Sequence, residues 1–261
     1  LPYIEAGKDL NYKFYVSGGN PPFVWSIKSG TLPDGLNLSA GKLTGTPTKP
    51  GIYPVEIQIG QGEKKSIQKI NLIVRDVNIA PEAKTIIANV MHTDTTVRDE
   101  MWLTVGRSLY APSVDVINDG RRLGNGSTFY SISNDLGKKV DYYGYEWSEP
   151  RNIGLLGYHT GSMEESGGWF TSLNVEYLDA GGNWQSVEGL SILPPLLPNE
   201  EPFNKAHFVE YLLAFKPVET AAIRMIGEAG TARHWRNKAY RFTSITELTV
   251  HGPLPGYQNL K

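Results

Sequence analysis

Three polar stretches of this 261-residue chain carry aromatic rings beside hydrogen-bonding side chains. Trp235 stands between Arg233-His234 and Arg236-Asn237 in the segment Gly227 to Lys238, GEAGTARHWRNK. Trp169 closes the segment HTGSMEESGGW that begins at His159, with Tyr158 just before it. His92 and Asp94 lie in MHTDTTVRD, Met91 to Asp99. A flat ring next to fixed donors and acceptors can cover the apolar face of a pyranose while its neighbours bind the hydroxyls. The candidates for such a site are Trp235, His234 and Arg233, then Trp169, His159 and Tyr158, then His92 and Asp94. Each has a plainer alternative: Trp235 as a lid over a sheet end, the histidines as ordinary loop residues, and Met91 to Asp99 as a solvated loop. Trp25 and Trp184 are assigned to the core, because a large ring in a strand serves a sandwich interior.

Other chemistry finds little footing. The chain has no GxSxG, no P-loop, no HExxH and no GxGxxG after a strand. The acidic pairs Glu164-Glu165 and Glu200-Glu201 are adjacent residues whose side chains diverge, a poor match to the two facing carboxylates of a glycosidase. His92 has no second histidine at ligand spacing, which argues against zinc or iron. Zero cysteines exclude disulfides, thiolate metal sites and cysteine nucleophiles. A net charge of -2, with Lys and Arg scattered, argues against a nucleic-acid partner. No stretch approaches the ~18 consecutive apolar residues of a membrane span. The expectation is a chain without catalytic activity.

The elements that must position these residues read as strands throughout. Tyr12, Phe14 and Val16 alternate, as do Phe23, Trp25 and Ile27, then Tyr53, Val55, Ile57 and Ile59, then Ile70, Leu72 and Val74. Pro54 inside one of these runs predicts an edge or a bulge there. The segment Asp76 to Pro81 breaks the pattern and reads as a linker. Thereafter Lys84 to Val90, Asp141 to Trp147 and Asn152 to His159 read as strands, the last two joined by a Ser148-Glu149-Pro150 turn, with Tyr143, Tyr145 and Trp147 in the core. Gly167 to Val187 is a β-hairpin: Leu173, Val175 and Tyr177 alternate against polar neighbours, and Asp179 to Asn183 supplies the turn. Ser191 to Asn204 holds four prolines and is expected to be a surface excursion rather than a strand.

Two family resemblances add to this reading. The run SGTLPDGLNL from Ser29, followed by GKLTGTP from Gly41 and PGIY from Pro50, resembles the putative-Ig repeat of large bacterial surface proteins, related to cadherin and dystroglycan folds. The acidic calcium motifs of cadherins are missing from it, so no calcium is expected in this domain. The hairpin with its VEY and Asn-Trp, the run Phe215 to Arg224, and Ser244 to Val250 resemble the discoidin (coagulation-factor type C) domain. The resemblance implies an all-β chain, an N-terminal immunoglobulin-like β-sandwich followed by a discoidin-like, galactose-binding-like β-sandwich jelly roll. The implied boundaries are 1–76, a linker 77–82, 83–252 and a tail 253–261. In that family a short helical turn, here VDVINDG from Val114, precedes an aspartate that helps hold a structural calcium; the matching positions are Asp119, Thr128 and Glu247. An ordinary turn aspartate and a strand-edge glutamate are the alternative.

Both resemblances are typical of exported proteins, and the absence of cysteine favours a bacterial one. The expected location is extracellular, cell-surface or periplasmic. The expected function is a carbohydrate-binding module pair whose partners are an oligo- or polysaccharide and a catalytic domain in the same polypeptide. The rival expectation is a protein-interaction or adhesion module, or a purely structural spacer.

Overall fold

A computed structural model describes residues 2–94, 110–122, 127–133, 139–163, 167–197, 207–231, 234–235, 238–239 and 241–259, with the backbone alone for 110, 234, 235, 238, 239 and 259. The chain divides into two compact units, one formed by residues 1–78 and 252–259, the other by residues 79–251 with 260–261. Among the described residues no helix is long and apolar enough to cross a membrane.

The first unit contains β1 (Ile4–Glu5), β2 (Leu10–Lys13), β3 (Val24–Gly30), β4 (Leu36–Ser39), β5 (Lys42–Gly45), β6 (Gly51–Gln61) and β7 (Lys64–Arg75). They form one sheet ordered β1-β7-β6-β3 and another ordered β2-β5-β4. The alternating residues meet between them: Ile4, Leu43, Val55, Ile57, Leu72 and Val74 are buried, and the half-buried Trp25 packs against this cluster. Gly41 lets Trp25 approach, since a Cβ there would lie 2.8 Å from the indole. Pro54 lies one residue past the last β3–β6 pair, Gly30–Val55, so β6 has no partner on that side to lose. The segment expected to be a tail belongs, over residues 252–259, to this unit, and Leu254 and Tyr257 are buried.

The second unit contains β8 (Thr85–Ala88), β9 (Tyr110–Ala111), β10 (Thr128–Tyr130), β11 (Val140–His159), β12 (Asn174–Leu178), β13 (Trp184–Ser186), β14 (Ser191–Leu193), β15 (Glu210–Glu228), β16 (His234–Trp235), β17 (Lys238–Ala239), β18 (Ser244–Ile245) and β19 (Glu247–His251). Its spine is the antiparallel pair β11–β15. The expected Ser148-Glu149-Pro150 turn is a register shift between Glu146 and Arg151 within one strand, because both halves keep β15 as partner. Such a bulge lets a strand pass from one sheet of a sandwich to the other. The first half of β11 pairs with β8, and its β15 partner continues to β12 and β13; the second half pairs with β19, beside β14 on β15.

Between the two halves lies the core: Tyr143, Tyr145 and Trp147 on alternate positions of β11, with Val175, Leu213, Phe215, Ile223, Met225, Leu248 and Val250. The Trp147 indole N–H donates to Ile79 O at 3.1 Å, and Ile79 N donates to Val250 O at 2.8 Å, tying the first residue of the unit to its last strand.

The hairpin β12–β13 turns on Asp179, whose Oδ1 accepts from the N–H groups of Gly181 and Asn183, both at 2.9 Å. Those N–H groups, that of Asn183 foremost, with the Gln185 amide, hold its carboxyl below the usual range. Trp184 is not in the core as expected. It is half-buried on the outer face, 4.1 Å from the Arg224 guanidinium, which also lies 4.8 Å from the Tyr142 ring and donates twice to Glu176. The proline-rich excursion is corrected at its start: Ser191–Leu193 pair with β15, and the first proline follows.

Candidate functional site

Both ends of β11 arrive at the same end of the sandwich. Tyr143, near the start, hydrogen-bonds to Thr243 at 2.7 Å, and Tyr158, near the finish, donates to Ser244 O at 2.7 Å. Five segments converge there through backbone hydrogen bonds: Asp94 N to Ile132 O, Ser131 N to Thr243 O, Ala229 N to Lys139 O, Gly168 N to Phe242 O and Gly230 N to Trp169 O, all between 2.7 and 3.0 Å. Backbone segments distant in sequence, among them those that hold Asp94 and Trp169 and those on either side of the His234–Trp235 hairpin, thus meet at this end.

The floor beneath them is polar. Asp141 is 3% exposed, and its Oδ2 accepts from the Thr243 hydroxyl at 2.8 Å. Thr243 N donates to Ser131 Oγ at 2.8 Å. Burial, and after it the charge of Asp141, pushes the Tyr143 phenol well above its ordinary range; burial does the same to Tyr158. Both phenols therefore remain neutral donors at working pH.

The predicted residues separate into three groups. His234 and Trp235 form β16, which pairs with β17 as His234–Ala239 and Trp235–Lys238. Their side chains, and Arg233 altogether, lie outside the described residues. His92 is exposed beside Ser113, with which it makes an isolated antiparallel bridge, and Asp94 is half-buried. Trp169 and Tyr158, by contrast, cannot present a face to a ligand: each is 1% exposed. Tyr158 stacks on Tyr211 and edges onto Phe170 inside the core, and the Trp169 indole N–H is buried without a hydrogen-bond partner among the described residues. His159 is likewise buried as the last residue of β11, its Nε2 3.2 Å from Glu210 Oε1. Sequence reasoning missed Asp141, Ser131 and Thr243, whose only signal was polarity at the mouth of apolar strands.

The predicted calcium positions are brought together in part. The turn Val114–Asn118 is a 3-10 helix capped by the Ser113 side chain, and Asp119 ends it, exposed. Gly120 N donates to Oε2 of Glu247 at 3.0 Å, while Oε1 of this fully buried carboxylate has no hydrogen-bond partner among the described residues. Burial raises Glu247 to about 7, opposed by the Gly120 N–H and the Arg122 charge and reinforced by Asp119. An orphaned carboxylate oxygen beside a second carboxylate is a donor set a hard cation fits. The hydroxyl of Thr128, the third of these positions, accepts from Ser162 N at 3.5 Å. Among the described residues no group of three or more His, Asp or Glu side chains could hold a metal.

Solved structures similar to this chain include CpGH89CBM32-5 from Clostridium perfringens in complex with GalNAc-beta-1,3-galactose, at 14% identity and a TM-score of 0.42, covering 64% of this chain and 94% of that one. The family 32 CBM of C. perfringens NanJ in complex with galactose aligns at 13% identity and a TM-score of 0.40, over 64% and 91% of the two chains. A structure from the Streptococcus pneumoniae beta-galactosidase BgaA aligns at 15% identity and a TM-score of 0.44, over 66% and 98%. No curated protein matches the chain. Residues 2–75, the strands of the first unit, match the family described as Putative Ig domain.

Proposed function

We propose that the chain is a non-catalytic carbohydrate-binding pair of β-modules from an exported bacterial protein, the first a spacer and the second the binding module. The observation that supports this reading is the meeting of the His92–Asp94 segment with the chain on either side of the His234–Trp235 hairpin, at Ala229–Gly230 and Phe242–Thr243, on one polar sandwich end floored by Asp141, Ser131 and Thr243. Hydroxyl-rich ligands suit a site of neutral and acidic hydrogen-bonding groups flanked by an aromatic residue. In the same reading, calcium is held by Glu247 and Asp119 with oxygen donors from the adjoining backbone, and it fixes the 114–120 turn. The site residues so assigned are Trp235, His234, Arg233, His92 and Asp94.

Affinity for one site is expected in the micromolar to millimolar range, on the order of -4 to -8 kcal/mol. Repetition of the module, or attachment to a catalytic domain acting on the same polysaccharide, would raise the effective strength. The test is a glycan array followed by titration calorimetry with the wild type and Trp235→Ala. Binding lost in the variant supports the reading; no glycan bound by the wild type at millimolar concentration rejects it in favour of an adhesion module or a spacer.

A further inference from the structure

The segment Gly168 to Phe170 is wedged between the two limbs of the loop that bears β16 and β17. On the rising limb, Phe170 bridges Ala229, and Gly230 N donates to Trp169 O at 2.8 Å. On the descending limb, Gly168 N donates to Phe242 O at 2.9 Å, and the Ser244 hydroxyl donates to Gly168 O at 2.7 Å. Arg241 Nη1 closes the neck by donating to Ala229 O at 3.2 Å.

The central residue of the wedge, Trp169, lays the pyrrole edge of its indole against Gly230. A Cβ on Gly230 would lie 2.0 Å from Nε1 and 2.5 Å from Cδ1 and Cε2. The backbone of Gly230 is not in the left-handed region, so this requirement for glycine is steric, and the three atoms nearest to such a Cβ all belong to the indole. Trp169 is 1% exposed and cannot swing aside, and its N–H has no hydrogen-bond partner among the described residues, so packing against its neighbours holds it.

We propose that Trp169 and Gly230 are a positioning pair that sets where the His234–Trp235 hairpin stands, with Trp169 acting on the ligand only through that hairpin. The functional half of this statement rests on the carbohydrate reading above; the structural half does not.

Hydrogen exchange followed by mass spectrometry tests it on the intact chain. Gly230→Ala should speed exchange in peptides covering 229–243 by about ten-fold or more while leaving Tyr143 to His159 unchanged, as expected for local opening. Trp169→Val removes the ring atoms that a Gly230 Cβ would meet, so the double variant Gly230→Ala/Trp169→Val should return exchange in 229–243 to that of Trp169→Val alone. Equal exchange in wild type and Gly230→Ala overturns the pairing, as does a double variant no better than Gly230→Ala. If Gly230→Ala does not fold, a double variant that folds supports the pairing and one that does not overturns it. Where the wild type binds a glycan, Gly230→Ala should lose at least about ten-fold in affinity, with recovery in the double variant. A wild type that binds no glycan rejects the carbohydrate reading and leaves the exchange result to decide the pairing.

Discussion

The hydroxyl of Thr243 donates to Oδ2 of Asp141 at 2.8 Å, beneath the end of the sandwich where the loops converge. Since that proton is committed to Asp141, the Tyr143 phenol must donate to Thr243 in its turn. Thr243→Val keeps the shape and removes the hydroxyl, leaving a buried carboxylate and a buried phenol each short of a partner. The expected loss is about 1–3 kcal/mol in urea denaturation. Thr243→Ser, which keeps the hydroxyl, should recover most of it.

Arg224 spans the outer face of the first half-sheet, with Tyr142 and Trp184 on its flanks and Glu176 as its ion-pair partner. Its planar group serves stacking and forked hydrogen bonding together, which an ammonium cannot do. Arg224→Lys should therefore cost nearly as much as Arg224→Ala, about 1 kcal/mol, because the site is partly solvated. Trp184 fluorescence during denaturation reads the same change; a lysine variant as stable as the wild type contradicts it.

The pH dependence of stability has a sign fixed by Glu247, raised by burial from an ordinary 4.5 to about 7. Below pH 4.5 the carboxyl is protonated in the folded and unfolded chain, and its full contribution is present. Between about 4.5 and 7 the unfolded chain releases the proton first, so stability falls as pH rises, by on the order of 3 kcal/mol in the absence of a cation. Glu247→Gln, neutral throughout, should flatten the fall. Thermal melts from pH 4 to 8 in chelator check this.

Calcium reverses the preference at the same carboxylate, since a bound cation favours its ionised form. At pH 7.5 added calcium should raise the melting temperature of the wild type, with about 2.7 kcal/mol gained at a hundred times the dissociation constant. Asp119→Asn and Glu247→Gln should each lose the response. A melting temperature indifferent to chelator counts against the site.

The sequence made the local features of this molecule legible. The alternation of Val175 and Tyr177, the Asp179 turn and the inward row Tyr143, Tyr145 and Trp147 follow from period and turn chemistry, which depend on near neighbours. Burial of side chains set by distant partners was not legible. Trp169 sits after a glycine-rich polar stretch, yet its surroundings come from residues about sixty positions later, at Gly230. Trp184 shows the converse: a ring in a strand left outside because Arg224, forty residues on, offers it a stacking partner on the solvent side. Tyr158 and His159 are neighbours on β11 and point to opposite faces, one among aromatic rings and the other beside Glu210.

The hydrogen bond between Ile79 and Val250 has a topological reading. A unit whose first residue is held by a backbone bond to its last strand brings its entry and exit together, the arrangement that domain insertion needs. The chain does this already: residues 79–251 interrupt the first unit, which resumes at Gly252 beside Asp76. Evolution could therefore remove or exchange the second unit as a cassette, and a direct join of Asn78 to Gly252 should leave the first unit able to fold alone.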